Sequence, residues 1–254
     1  MKMDSSINVD KIYVVHVSSN KLREQHIKQE LGKFNLPFEF MLKGDKSEMS
    51  TEIIKEYFIG DEMGGLKPTA QQSCTYKHLS IYEKILTDGV QDALIFEDDV
   101  YLSENFIEVF NQTISELKAL PQKTQDKALI NFENSTLQIV PPSKQVNGQY
   151  LYEASKNRCA GAYYINKNLA NSITQYRIKY KCNKIIDWYH NELIDTIGLQ
   201  NYWCHPPIVE QGSHNGKMQS IIDDKKYGPV REITWKISRF YKHKIRPLFG
   251  NKNK

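Results

Sequence analysis

Several familiar signals are missing from this sequence, and each absence closes a class of function. The four cysteines, Cys74, Cys159, Cys182 and Cys204, lie far apart with no CxxC pair. That argues against a zinc or disulfide framework and for ordinary thiols of a reducing compartment. No apolar run approaches the ~18 residues of a membrane-spanning helix, and the mean hydropathy is −0.58. The polar start, with Asp4 and Asp10, does not read as a secretory signal. Also missing are GxxxxGK[ST], GxGxxG, GxSxG and HExxH. P-loop nucleotide hydrolysis, Rossmann-loop dinucleotide binding, serine-hydrolase chemistry and zincin proteolysis therefore have no support. Neither an internal repeat nor an interior linker divides the chain.

What is present suits one sizeable α/β domain: 254 residues, 40 % apolar and 25 % charged, a balance that excludes disorder. The charge is uneven. Residues 236–254 carry seven Lys/Arg (Lys236, Arg239, Lys242, Lys244, Arg246, Lys252, Lys254) and no acid. With +4 overall, residues 1–235 are left at about −3. The expected division is a mildly acidic body, 1–235, and a basic tail, 236–254.

Residues 12–17 form a β-branched run ended by Ser18-Ser19-Asn20, which predicts a buried strand and a loop. Lys21 to Phe34 predicts a helix, and Phe38 to Leu42 a second strand closed by Gly44-Asp45. This βαβ opening implies a parallel sheet with ligands at the carboxyl ends of its strands. Thr69 and Gln72 read as a capping box starting a helix, with Cys74, His78, Ile81 and Ile85 on one stripe until Asp88-Gly89. Strands are expected at 93–96, 129–132 and 162–165, and helices at 106–120 and 169–176.

The sharpest local feature is Ala93-Leu-Ile-Phe-Glu-Asp-Asp-Val100, a buried strand running into three carboxylates. Adjacent acids repel unless a cation or solvent compensates them, and hard oxygens suit Mg²⁺ or Mn²⁺. Alternation along an extended segment points Glu97 and Asp99 one way and Asp98 the other. Glu97 and Asp99 can then share a metal, while Asp98 faces a neighbouring strand or an acceptor. A solvated acidic turn is the plainer alternative. Without a P-loop, a metal there leaves nucleotide-sugar transferases and metal-dependent phosphoesterases as the main enzyme classes.

Segments in order resemble glycosyltransferase family 25, the bacterial lipooligosaccharide galactosyltransferase-like family. They are 12–23 (opening strand and Arg-containing loop), 38–44, the helix 74–84, the Glu-Asp-Asp block 93–100, Gly161 to Ile165, Ile186-Asp187-Trp188, and Pro207 to Gln211 with Ser220-Ile221. Ala70 to Ser73 and Lys77 depart from the family pattern, which has a Gly-Glu-rich stretch and a Ser there. The resemblance implies a GT-A-type fold, a UDP-sugar donor (UDP-galactose first), and transfer with inversion onto a lipid-linked glycan of lipopolysaccharide or lipooligosaccharide. It also implies Ser18, Arg23, His78, Glu97 and Gln211 as donor-binding residues, and Mn²⁺ or Mg²⁺ on Glu97 and Asp99. The expected base is Asp187, with Asp98 second.

Each of these residues has a plainer reading. His78 on an apolar stripe suits a core histidine, and Arg23 a surface helix residue. Asp187 suits a helix N-cap beside a packed Trp188. His214, a possible third metal ligand, suits a surface loop, and Cys204-His205 suits packing. Two other functions stay open at this point: a phosphoesterase using the same acids, and a non-catalytic sugar- or membrane-binding module.

On a helical wheel the tail gathers Ile237, Phe240, Tyr241 and Ile245 on one side, with Lys236, Arg239, Lys242, His243 and Arg246 on the other. Such a helix suits an anionic bilayer surface. The expected location is therefore cytoplasmic, peripheral on the inner membrane. No nucleic-acid motif accompanies the basic residues, so no nucleic-acid partner is expected.

Overall fold

A computed structural model describes residues 6–61, 63–135, 138–215, 217, 218, 234, 237, 240 and 241. The strands are β1 (Lys11–Val15), β2 (Glu39–Met41), β3 (Asp92–Glu97), β4 (Val100–Leu102), β5 (Ala128–Asn131), β6 (Leu151–Glu153), β7 (Ala162–Asn166), β8 (Gln200–Cys204) and β9 (Val209–Gln211). The helices are α1 (Lys21–Gly32), α2 (Thr51–Tyr57), α3 (Ala70–Thr87), α4 (Phe106–Ala119), α5 (Gln122–Gln125), α6 (Lys167–Tyr180), α7 (Ile186–Ile197) and α8 (Gly212–Asn215).

Seven strands make one sheet in the order β2-β1-β3-β7-β5-β8-β6. The expected parallel start is present, since β1 pairs in parallel with both β2 and β3. The sheet as a whole is mixed, because β7 is antiparallel to β3 and β5. The chain re-enters at the carboxyl end of β3, where Gly161 accepts a hydrogen bond from the Glu97 amide (2.8 Å), so β7 must run back down.

Strand alternation divides the core in two. Tyr13, Ala93 and Ile95 pack with α3, α6 and α7 on one face. Ile12, Val14, Leu94 and Phe96 pack with α1 and α4 on the other. Helices on both faces of a mixed sheet are the architecture the GT-A-type expectation requires. β4 and β9 form a separate two-stranded ribbon beyond the end of β3.

α3 starts as expected, with the Thr69 side chain accepting from the Gln72 amide (3.1 Å) and Gln72 Oε1 accepting from the Thr69 amide (3.0 Å). Its residues 73 and 77 turn toward the loop after β2. Ser73 donates to the Gly44 carbonyl (2.7 Å). Gly44 has φ +98°, and a Cβ there would stand 2.2 Å from the Tyr76 ring, so both backbone and space require glycine.

Candidate active site

The carboxyl ends of β1 and β3, the start of α3 and the start of α7 enclose a cavity of about 720 Å³. Arg23, Glu97, Asp98, Asp99, Asp187 and Gln211 all line it. Six of the residues singled out from sequence are thus brought together. Ser18 and His78 are not in its wall. The His214 side chain and most of the tail lie outside the described residues. Ile237, Phe240 and Tyr241 are described, and all three are exposed.

The three acids do not alternate as an extended strand would place them, because β3 ends at Glu97 and Asp98-Asp99 form the turn into β4. Arg23, on the first turn of α1, reaches both: Nη1 lies 2.7 Å from Asp98 Oδ1 and Nη2 3.4 Å from Asp99 Oδ2. It is a buried ion-pair residue rather than a surface one. His16 Nδ1 bonds the other Asp98 oxygen at 2.7 Å. Burial alone would raise the Asp98 carboxyl, but His16 and Arg23 outweigh it and hold it below the usual range. Asp98 is drawn into this network beside the neighbouring strand β1, one of the two placements its sequence left open.

Asp99 is fully buried, and its Oδ2 accepts from the Ser213 amide (3.0 Å). Burial first, then Glu97 and Asp98, push its carboxyl upward against the pull of Arg23. Its Oδ1 has no hydrogen-bond partner among the described residues. A buried, unsatisfied carboxylate oxygen beside a second carboxylate fits a hard divalent cation. Glu97 is steadied by Gln211, whose Nε2 donates to Oε2 at 2.6 Å. A second grouping, Cys74, His78 and Glu97, places its ligand atoms within 4.8 Å of one another. There, burial and the Glu97 charge hold the Cys74 thiol well above its usual range, so it is not a ready thiolate.

Asp187 is the second residue of α7 rather than its N-cap, and it accepts from the Trp188 amide at 3.0 Å. Burial raises its carboxyl, helped by Glu97 and Glu133. Trp188 points outward, 56 % exposed, and does not line the cavity.

Lys77 serves structure. Fully buried, it donates to the His16 and Leu42 carbonyls (2.6 and 2.7 Å) and to Asp45 Oδ1 (2.7 Å). Ser18 completes that post by donating its amide (3.0 Å) and hydroxyl to Asp45 Oδ2. His78 is a core residue whose Nδ1 bonds the Tyr163 hydroxyl (2.8 Å). Cys204 is buried, and its thiol contacts Thr113 (3.6 Å) and the Pro206 carbonyl (3.5 Å), as packing predicts. Sequence reasoning passed over His16 and Glu133. A histidine ending a strand that points at a ligand face was the available signal for the first. Glu133 is fully buried and accepts from the Gly161 amide (2.9 Å); nothing in its local sequence marks it.

Residues 9–189 match the family model described as Glycosyltransferase family 25 (LPS biosynthesis protein). The chain belongs to glycosyltransferase family 25. It is 27 % identical over 158 residues to the lipooligosaccharide biosynthesis protein lic2B of Haemophilus influenzae, covering 60 % of this chain and 58 % of that protein. It is 23 % identical over 217 residues to the lacto-N-neotetraose biosynthesis glycosyltransferase LgtE of Neisseria meningitidis serogroup B, covering 82 % and 76 %. A solved glycosyltransferase involved in glycosylation of the major capsid of PBCV-1 superposes with a TM-score of 0.42 at 8 % identity, over 89 % of this chain and 98 % of that one.

Proposed function

We propose that this family 25 chain is a metal-dependent, inverting glycosyltransferase that moves a sugar from a UDP-sugar onto a lipopolysaccharide or lipooligosaccharide acceptor. UDP-galactose is the first donor to try. The observation that carries the reading is the cavity itself, whose lining combines carboxylates with cations. Glu97, Asp99 and Asp187 supply the carboxylates. Lys46, Lys67 and the first turn of the 18-residue α3 also line it. Both lysines are exposed and have no carboxylate partner among the described residues. Cations and a helix N-terminus suit a diphosphate, and the volume suits a nucleotide-sugar.

In this reading Glu97 and Asp99 would hold Mn²⁺ or Mg²⁺. Such an ion supplies Lewis-acid stabilisation to the departing diphosphate. The acceptor hydroxyl attacks the anomeric carbon from the face opposite the diphosphate, the C–O bond to the diphosphate breaks, and configuration inverts. Asp187 takes the hydroxyl proton, and its raised carboxyl is better matched to that task than Asp98, which is held low. Arg23 and His16 keep Asp98 ionised and the turn in place. The basic tail carries the body to an anionic membrane surface, supported by its charge and by exposed Ile237, Phe240 and Tyr241.

The test is UDP release from a panel of UDP-sugars with and without a lipooligosaccharide acceptor. Acceptor-stimulated release from one donor is expected. Phosphate release from simple esters, with no response to acceptor, would overturn the reading in favour of a phosphoesterase.

A further inference from the structure

A chain of buried polar side chains runs behind the cavity, from β5 through α7 and α3 to Glu97. Asn131 Oδ1 accepts from the Glu133 amide (2.8 Å), which fixes its Nδ2 as the donor to the Cys159 carbonyl (2.7 Å) and to Asn157 Oδ1 (2.8 Å). Asn157 Nδ2 therefore faces His190 Nδ1 at 2.9 Å. His190 Nε2 meets the Tyr82 hydroxyl at 2.7 Å, and Tyr82 meets the Tyr163 hydroxyl at 2.7 Å. Tyr163 meets His78 Nδ1 at 2.8 Å, and His78 Nε2 lies 3.6 Å from Glu97 Oε1.

We infer that this chain runs one way and locks His78 as the neutral Nε2–H tautomer, so that His78 presents a proton donor, not a lone pair, to Glu97. The direction follows link by link from donor and acceptor chemistry. An amide Nδ2 only donates, so His190 Nδ1 is an acceptor and its proton sits on Nε2. That proton goes to Tyr82 oxygen, which leaves the Tyr82 hydroxyl to donate to Tyr163. Tyr163 then donates to His78 Nδ1, and the remaining ring proton is on Nε2. Burial pushes His190 down to about 3, which keeps it neutral as this order requires. Backbone groups anchor the origin, because reversing the order would turn the Asn131 amide nitrogen onto the Glu133 N–H and away from the Cys159 carbonyl; the order ends on the buried His78 Nε2–H, 3.6 Å from Glu97 Oε1 and short of a hydrogen bond.

Two consequences follow. The Cys74, His78 and Glu97 grouping then offers a soft metal no histidine lone pair, since its histidine shows a proton. His78 is instead a positioning residue, its Nε2–H facing Glu97 Oε1 at 3.6 Å while Gln211 bonds Oε2. Its effect on metal affinity rests on the reading of Glu97 as a ligand, whereas the tautomer does not.

The experiment is ¹⁵N NMR of the histidine rings in the full chain, with His78 assigned by loss of its signals in His78→Gln. The expected spectrum has protonated Nε2 and unprotonated Nδ1 at His78, unchanged by equimolar Zn²⁺. In Tyr163→Phe, which keeps the ring packing, the His78 signals should move toward a tautomer mixture. Direct Mn²⁺ titration of that variant should weaken by about 10- to 100-fold. A protonated Nδ1 in the wild type, a Zn²⁺-induced shift at His78 Nε2, or an unaltered His78 spectrum in Tyr163→Phe would each overturn the inference. Failure of the wild type to bind Mn²⁺ would overturn the metal reading and its consequence for His78, while the tautomer result stands apart.

Discussion

At the scale of single residues, Arg23 governs how Asp98 and Asp99 share a buried turn. Removing it leaves two carboxylates without their main cation, and breaking such a pair costs about 3–5 kcal/mol. Arg23→Ala should therefore unfold earlier in denaturant, and the deficit should depend on pH. Without Arg23 the Asp99 carboxyl, which burial already raises, rises further, so the folded variant binds more protons than the wild type and regains part of its loss as pH falls. The deficit should therefore be smaller at about pH 5 than at about pH 8. Equal losses at both pH values would contradict the pairing. Lys77 makes a parallel case, since Lys77→Met strands Asp45 and three carbonyl acceptors. A loss of about 3–5 kcal/mol is expected, against little change if Lys77 were a surface residue.

At the scale of elements, the strand–helix–strand opening, the capping box of α3 and the acids ending β3 were legible because each is a local pattern. The antiparallel β7, the β4–β9 ribbon and the place of Glu133 were not, because they join residues far apart in sequence. Ser213 reaches Asp99 from 114 positions away, and only the ribbon's register brings it there. The turn at Asp98-Asp99 defeated the alternation argument for the same reason, as Arg23 and Ser213 hold those carboxylates across the fold. Gly161 reports this packing directly. A Cβ there would stand 2.7 Å from Glu133 Oε2 and 3.2 Å from Gln211 Cδ. Glu133 cannot swing away without releasing the Gly161 amide it accepts from. Gly161→Ala should cost about 1–3 kcal/mol by overpacking, measured as a lower denaturation midpoint at unchanged slope.

For the molecule as a whole, the excess of basic residues divides into a body that gathers carboxylates around one cavity and a tail that carries the cations. Among the described residues no helix is long and apolar enough to cross a membrane, and the proposed membrane attachment rests on the charge of the tail. A chain ending at Glu232 should float free of vesicles containing anionic lipid, while the whole chain binds and salt weakens that binding. Equal binding of both would remove the tail from the account. The central claim is that Asp99 and Glu97 hold a divalent cation at the end of β3 for sugar transfer. It is tested most directly by UDP release from the preferred UDP-sugar with Mn²⁺, with EDTA, and in Asp99→Asn, a shape-conserving change. Release that EDTA abolishes, Mn²⁺ restores and Asp99→Asn lowers by about 100-fold or more is expected, of the order of losing one electrostatic partner of the departing group; release indifferent to EDTA and to the substitution would rule out a cation held by these two carboxylates.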